Sequence, residues 1–318
     1  MTSTDSLTDM DVAVAGGAFL RAARQQPPER TLRFLADSLE WERENVLSGR
    51  FDRYRAAVEP VFRGVPALSG DAPALAAAWA GHHFARGLNT VGPLMYATDP
   101  RLRVAATGAE HLERALADGR GPLVISLHSG PYQALPAFLA ARLGMPVTSF
   151  MDGAAYELVR AVHDAVAPEL LPSLDAIGLP ATDSTRRALT TVRSGRILMT
   201  MPEFTLGERS EQVLHPVSFM GRTVQAPMGT ARLARALRVP IIPVRLVRDD
   251  TAHFTIAVDE PLSTSGSREP DEQVTERVFG WLESVVSQAP EAWWCWEIFD
   301  TVLTVSPPSP HPAAATAS

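Results

Sequence analysis

The chain of 318 residues contains no lysine, and all 29 of its basic residues are arginine. This excludes a P-loop lysine on nucleotide phosphates, a Schiff base with pyridoxal phosphate and a kinase-type strand lysine. Cysteine is limited to Cys295, which excludes an internal disulfide framework and any cysteine-cluster zinc site. No glycine-rich dinucleotide fingerprint and no internal repeat is present. No apolar run approaches the roughly 20 residues of a membrane span. The start, Met1 to Asp11, lacks the basic and apolar regions of a secretory signal, so the chain is expected in the cytoplasm with at most peripheral membrane contact. A net charge of −7 argues against broad nucleic-acid binding and leaves room only for a local arginine patch.

What is present fits a globular protein: 46% hydrophobic and 20% charged residues on a chain long enough to bury a sizeable core. Residues 1–101 read as a helical region, with helix-rich stretches at Gln26 to Val46 and Pro73 to Leu94 and turns near Gly64 and Gly70. Its one eye-catching pair, His82-His83, is not expected to bind metal, because adjacent helix residues face different ways. Residues 102–305 alternate between the two periods. Strands are expected at Val104 to Gly108, Pro122 to Leu127, Val147 to Met151, Arg196 to Met201, Gln212 to Phe219, Ile241 to Val247 and His253 to Val258. Helices are expected at Glu110 to Ala117, Pro131 to Leu143, Ala154 to Val166, Ser184 to Arg193, Ala226 to Leu237 and Asp271 to Ser287, with a turn-rich stretch near Pro172 to Pro180. This implies an α/β fold, a largely parallel central sheet flanked by helices, with a helical N-terminal region. The Pro-, Ala- and Ser-rich tail, 306–318, should be disordered.

His128 ends the apolar run Pro122 to Leu127 and precedes Ser129-Gly130-Pro131. A base there stands at the carboxyl edge of a parallel sheet, where α/β folds open their crevices. The amides of Ser129 and Gly130, at the expected helix start, are candidates to stabilise an oxyanion. Ser126 and Ser129 lack the Gly-x-Ser-x-Gly elbow of a nucleophilic serine. Arg232 and Arg235 on one helix, with Arg222 before it, are candidates to hold donor phosphate or else form a solvated face. Trp293, Trp294 and Trp296 line a pocket or belong to the core.

From about Leu102 to Trp296 the chain resembles the bacterial lipid A late acyltransferases, the lauroyl and myristoyl transferases, and their relatives that acylate phosphatidylinositol mannosides. The matches are Gly119-Arg120-Gly121-Pro122 before the strand of His128, Arg193-Ser194-Gly195-Arg196 with the strand ending at Met201-Pro202-Glu203, Val217 to Arg222 followed by Ala226 to Ala234, and Pro290 to Trp296. The resemblance implies acyl transfer from a thioester, on acyl carrier protein or coenzyme A, to a hydroxyl or amine. It also implies His128 as general base and an acid five residues later, where this chain has Gln133. Glu203 then becomes the carboxylate that stabilises the imidazolium in place of that acid.

No metal and no cofactor beyond the acyl thioester co-substrate is expected. The acceptor would be a small molecule, in specialised-metabolite biosynthesis of the antibiotic type. Two alternatives stay open: transfer of an aminoacyl group from aminoacyl-tRNA to an amine or hydroxylamine, and a non-catalytic binding protein with a degenerate site.

Overall fold

The computed structural model of the chain describes residues 23–179, 183–203, 213–264, 266–299 and 304–305. The expected tail, 306–318, lies outside the described residues. Among the described residues four α-helices come first: α1 Pro28–Asn45, α2 Ser48–Arg63, α3 Ala72–Phe84 and α4 Arg86–Met95. The helix-rich stretch expected over Pro73 to Leu94 is divided at Ala85 into α3 and α4, and α2, in the region read as helical, continues through Pro60.

Among the described residues the main sheet has seven strands, in the order β1-β9-β8-β2-β5-β3-β4. They are β1 Arg103–Thr107, β2 Leu123–Ile125, β3 Val147–Asp152, β4 Leu174–Leu179, β5 Ile197–Thr200, β8 Ile241–Arg248 and β9 His253–Val258. Each pair is parallel except the β8–β9 hairpin. Helices α5 Ala109–Ala117, α6 Leu135–Leu143, α7 Gly153–Val166, α8 Ser184–Arg193, α9 Gly229–Leu237 and α10 Asp271–Gln288 complete the described helices.

Three expectations need correction. The strand expected at Gln212 to Phe219 does not extend the main sheet. It forms β6 Leu214–Phe219, which pairs antiparallel with β7 Arg222–Pro227 in a separate three-stranded sheet closed by β10 Thr304–Val305. Met220 and Gly221 turn this hairpin at φ 53° and 74°, the double left-handed conformation that matches the strands' twist. Ala226, expected in a helix, belongs to β7. The stretch Pro172 to Pro180, expected as turn, contributes β4 at the edge of the main sheet.

β2 is central and buried on both faces, which is why its sequence is a continuous apolar run. Leu123, Ile125 and Leu127 pack into one cluster with Val58, Phe62 and Trp79 of the N-terminal helices. Val124 packs into a second with Leu94, Tyr96 and Phe138. The helical N-terminal region thus shares both cores with the sheet. Among the described residues no helix is long and apolar enough to cross a membrane.

Candidate active site

Two parallel strands end together. β2 and β5 pair Leu123 with Leu198, Val124 with Met199 and Ile125 with Thr200. The same offset of 75 residues separates His128 from Glu203, so the register that aligns the strands also places these two side by side beyond their ends. The Glu203 carboxylate is 1% exposed and is not a solvated loop acid. Its Oε1 accepts the His128 backbone N–H at 2.8 Å and the Trp293 indole N–H at 3.3 Å, and lies 3.5 Å from His128 Nδ1. A buried carboxylate held by two neutral donors keeps a fixed position beside the imidazole.

Gln133 faces the same crevice, but its amide oxygen accepts the Thr90 hydroxyl from α4. The amides of Ser129 and Gly130 require a correction. The chain turns at Gly130, which is left-handed at φ 58°, and runs back against the tryptophan segment instead of entering a helix. Trp294 N–H donates to the His128 carbonyl at 2.7 Å, Gly130 N–H to Ala292 O at 3.3 Å, and Ser129 N–H to Leu127 O at 2.8 Å. Both expected oxyanion donors are therefore committed inside the protein. α6 begins only at Leu135, after the short 3₁₀ turn Tyr132–Ala134.

Three groups were not read from the sequence as neighbours of His128. Tyr132 is buried with its ring 4.7 Å from the His128 ring, and burial holds its phenol protonated well above the usual range. Cys295 is buried so that one ligand-type atom each of Cys295, His128 and Glu203 lies within 4.8 Å of the others. Burial, reinforced by the Glu203 charge, pushes its thiol well above the ordinary value, so it is no thiolate nucleophile. Helix α3 supplies the third group, His82 and His83. Their noticed adjacency gave no hint that they meet His128 across the fold.

His128 stands between two cavities. The larger, about 570 Å³, is lined by His128, Tyr132 and Gln133 at one end and by side chains of β3, β4 and α7, with Phe150, Met151 and Leu171 among its apolar groups. The smaller, about 20 Å³, is lined by His82, His83, Arg86, Asn89, Gly130 and Glu291. Trp294 lines both, 5.8 Å from the His128 ring and beneath the Arg86 guanidinium at 4.5 Å, whereas Trp293 and Trp296 are core. His83 stacks on Trp79 at 4.8 Å, and burial, helped by Arg86 and Arg50, drops its pKa to about 3.

The three arginines expected to bind donor phosphate lie elsewhere. Arg235 pairs with Asp271 at 2.7 Å, Arg222 covers Phe299 at 5.2 Å, and none of Arg222, Arg232 and Arg235 lines either cavity at His128. The helix that carries two of them packs on α10, at a distance from the ends of β2 and β5 that a linear spacing does not reveal.

Comparison with known proteins gives two findings. A family model described as bacterial lipid A biosynthesis acyltransferase matches residues 18–297. Among solved structures, the chain is similar to the 1-acyl-sn-glycerophosphate (LPA) acyltransferase PlsC from Thermotoga maritima. That likeness has 11% identity and a TM-score of 0.34, and covers 74% of this chain and 98% of that one. No curated protein matches the chain.

Proposed function

The chain belongs to the bacterial lipid A biosynthesis acyltransferase family and is an acyltransferase; we propose that it moves an acyl group from a thioester, on acyl carrier protein or coenzyme A, to the hydroxyl or amine of a small acceptor in specialised-metabolite biosynthesis. The observation that supports this reading best is the buried Glu203 carboxylate beside His128 at the mouth of an acyl-sized, largely apolar cavity.

In this reaction His128 removes the acceptor's proton as its oxygen or nitrogen attacks the thioester carbonyl. Glu203, next to Nδ1, leaves Nε2 as the basic nitrogen and stabilises the imidazolium. Collapse of the tetrahedral intermediate breaks the C–S bond, and the imidazolium returns its proton to the departing thiolate. The Tyr132 phenol, kept protonated and lining both cavities, donates to the oxyanion in place of the committed amides. The larger cavity takes the acyl chain. The smaller admits the reacting hydroxyl or amine and little more, which supports a small acceptor.

The test combines the purified chain with coenzyme A and carrier-protein thioesters and a set of amines and alcohols, following thiol release and product mass. Thiol release that depends on the acceptor, with a product of matching mass, is expected. Release that ignores the acceptor would reduce the protein to a thioesterase, and release from no donor would defeat the proposal. Transfer from aminoacyl-tRNA that ribonuclease abolishes would replace the donor.

A further inference from the structure

Two polar side chains deep in the larger cavity are not explained by the reaction. His163 on α7 and Ser149 on β3 are each 6% exposed, and both line the cavity wall. No hydrogen bond joins the imidazole or the hydroxyl to another described residue, and both side chains open onto the cavity that they line. The cavity's charged groups, Asp152, Arg160 and Asp175, are exposed, whereas His163 and Ser149 are neutral polar groups buried in its wall, distinct from the His128, Tyr132 and Gln133 of the reacting end. Burial lowers the pKa of His163 to about 4. At neutral pH its ring is uncharged and offers one donor and one acceptor nitrogen.

A buried polar group without a partner costs about 1–3 kcal/mol, and apolar side chains at these positions would avoid that cost. Water in the cavity can satisfy them. A plain alkyl chain would displace that water and leave both unpaired, whereas a substituted chain would replace its hydrogen bonds. Sites built to bond a polar group discriminate strongly against ligands that lack it.

We infer that the cavity selects an acyl group bearing an uncharged hydrogen-bonding substituent, a hydroxyl or an oxo group, read by His163 and Ser149. This rests on the acyl-transfer reading above. The experiment compares coenzyme A thioesters of equal chain length, plain against hydroxy- or oxo-substituted at successive carbons, with one acceptor held constant. The wild-type chain should prefer a substituted regioisomer by about 10-fold or more in kcat/KM, on the scale of one uncharged hydrogen bond. His163→Leu and Ser149→Ala should each shrink that ratio several-fold through the substituted donor, and His163→Gln, which keeps a neutral donor and acceptor, should restore part of it.

Unreactive thioether analogues, titrated by calorimetry, should show the same ordering without turnover. Equal kcat/KM for plain and substituted donors in the wild type would overturn the inference, as would variants that slow both alike. So would a selectivity that His163→Leu alters across a panel of acceptors and not of donors. If no thioester is turned over while the analogues keep their ordering, the acyl-transfer reading fails and the selectivity stands. Transfer without preference leaves the reading and removes the selectivity.

Discussion

At the residue scale, the chemistry turns on which side chain supports His128. Glu203 Oε1 lies 3.5 Å from the ring nitrogen, while the Gln133 oxygen is engaged by Thr90. Glu203→Gln removes a buried charge and should lower kcat by about 10-fold or more, whereas Gln133→Ala should cost a few-fold at most. Parallel loss in the two variants, measured by steady-state kinetics, would mean that the carboxylate is not the supporting group. The pair could be read from the sequence because both residues follow apolar strands of a parallel sheet, whose carboxyl ends face one crevice. Cys295 and His163 could not, since each reaches the crevice from a segment remote in the chain, whereas Tyr132 lies in the short turn just after His128 and was passed over because no local pattern shows which way its ring points. The Ser129 and Gly130 amides were misjudged for a non-local reason. The left-handed Gly130 sends the chain against Ala292 to Trp294, a long-range pairing that no local pattern announces.

At the element scale, the site depends on the register of β2 against β5. Gly121, just before β2, passes so close to Arg196 that a Cβ would come within 1.6 Å of its carbonyl oxygen. Gly121→Ala should therefore destabilise the protein by roughly 3 kcal/mol and disturb the alignment of His128 with Glu203. Gly119→Ala, left-handed at φ 74° but with open space around it, should cost only about 1 kcal/mol. Urea midpoints that are equal for the two variants would contradict this. Elements with clear periodicity were legible: α8 and β9 match the expected bounds Ser184 to Arg193 and His253 to Val258. β4 was hidden by Pro172 and Gly178, whose punctuation marks the ends of an edge strand as readily as a turn. The β6–β7 hairpin was hidden because its first turn residue is Met220, and methionine rarely adopts positive φ.

At the scale of the whole molecule, burial of neutral histidines couples stability to acid. His163 titrates at about 4 and His83 at about 3 in the folded protein, both below the ordinary value, through burial. Well above pH 6.5 these histidines are neutral in folded and unfolded chains alike and contribute no pH dependence. As pH falls from 6.5 toward 4 the unfolded chain takes up protons that the folded chain refuses, so stability declines across that window. For His163 alone the decline is at most about 3 kcal/mol. Urea unfolding at successive pH values should show a shallower decline in His163→Gln than in the parent. Identical slopes would show that the buried ring does not resist protonation.

The central claim is that His128 is the general base of acyl transfer, and turnover of the His128→Ala variant tests it most directly. With a thioester donor and an acceptor that the parent uses, and circular dichroism matching the parent, the variant should lose about 100-fold or more in kcat. A loss of only a few-fold in the folded variant would contradict the account.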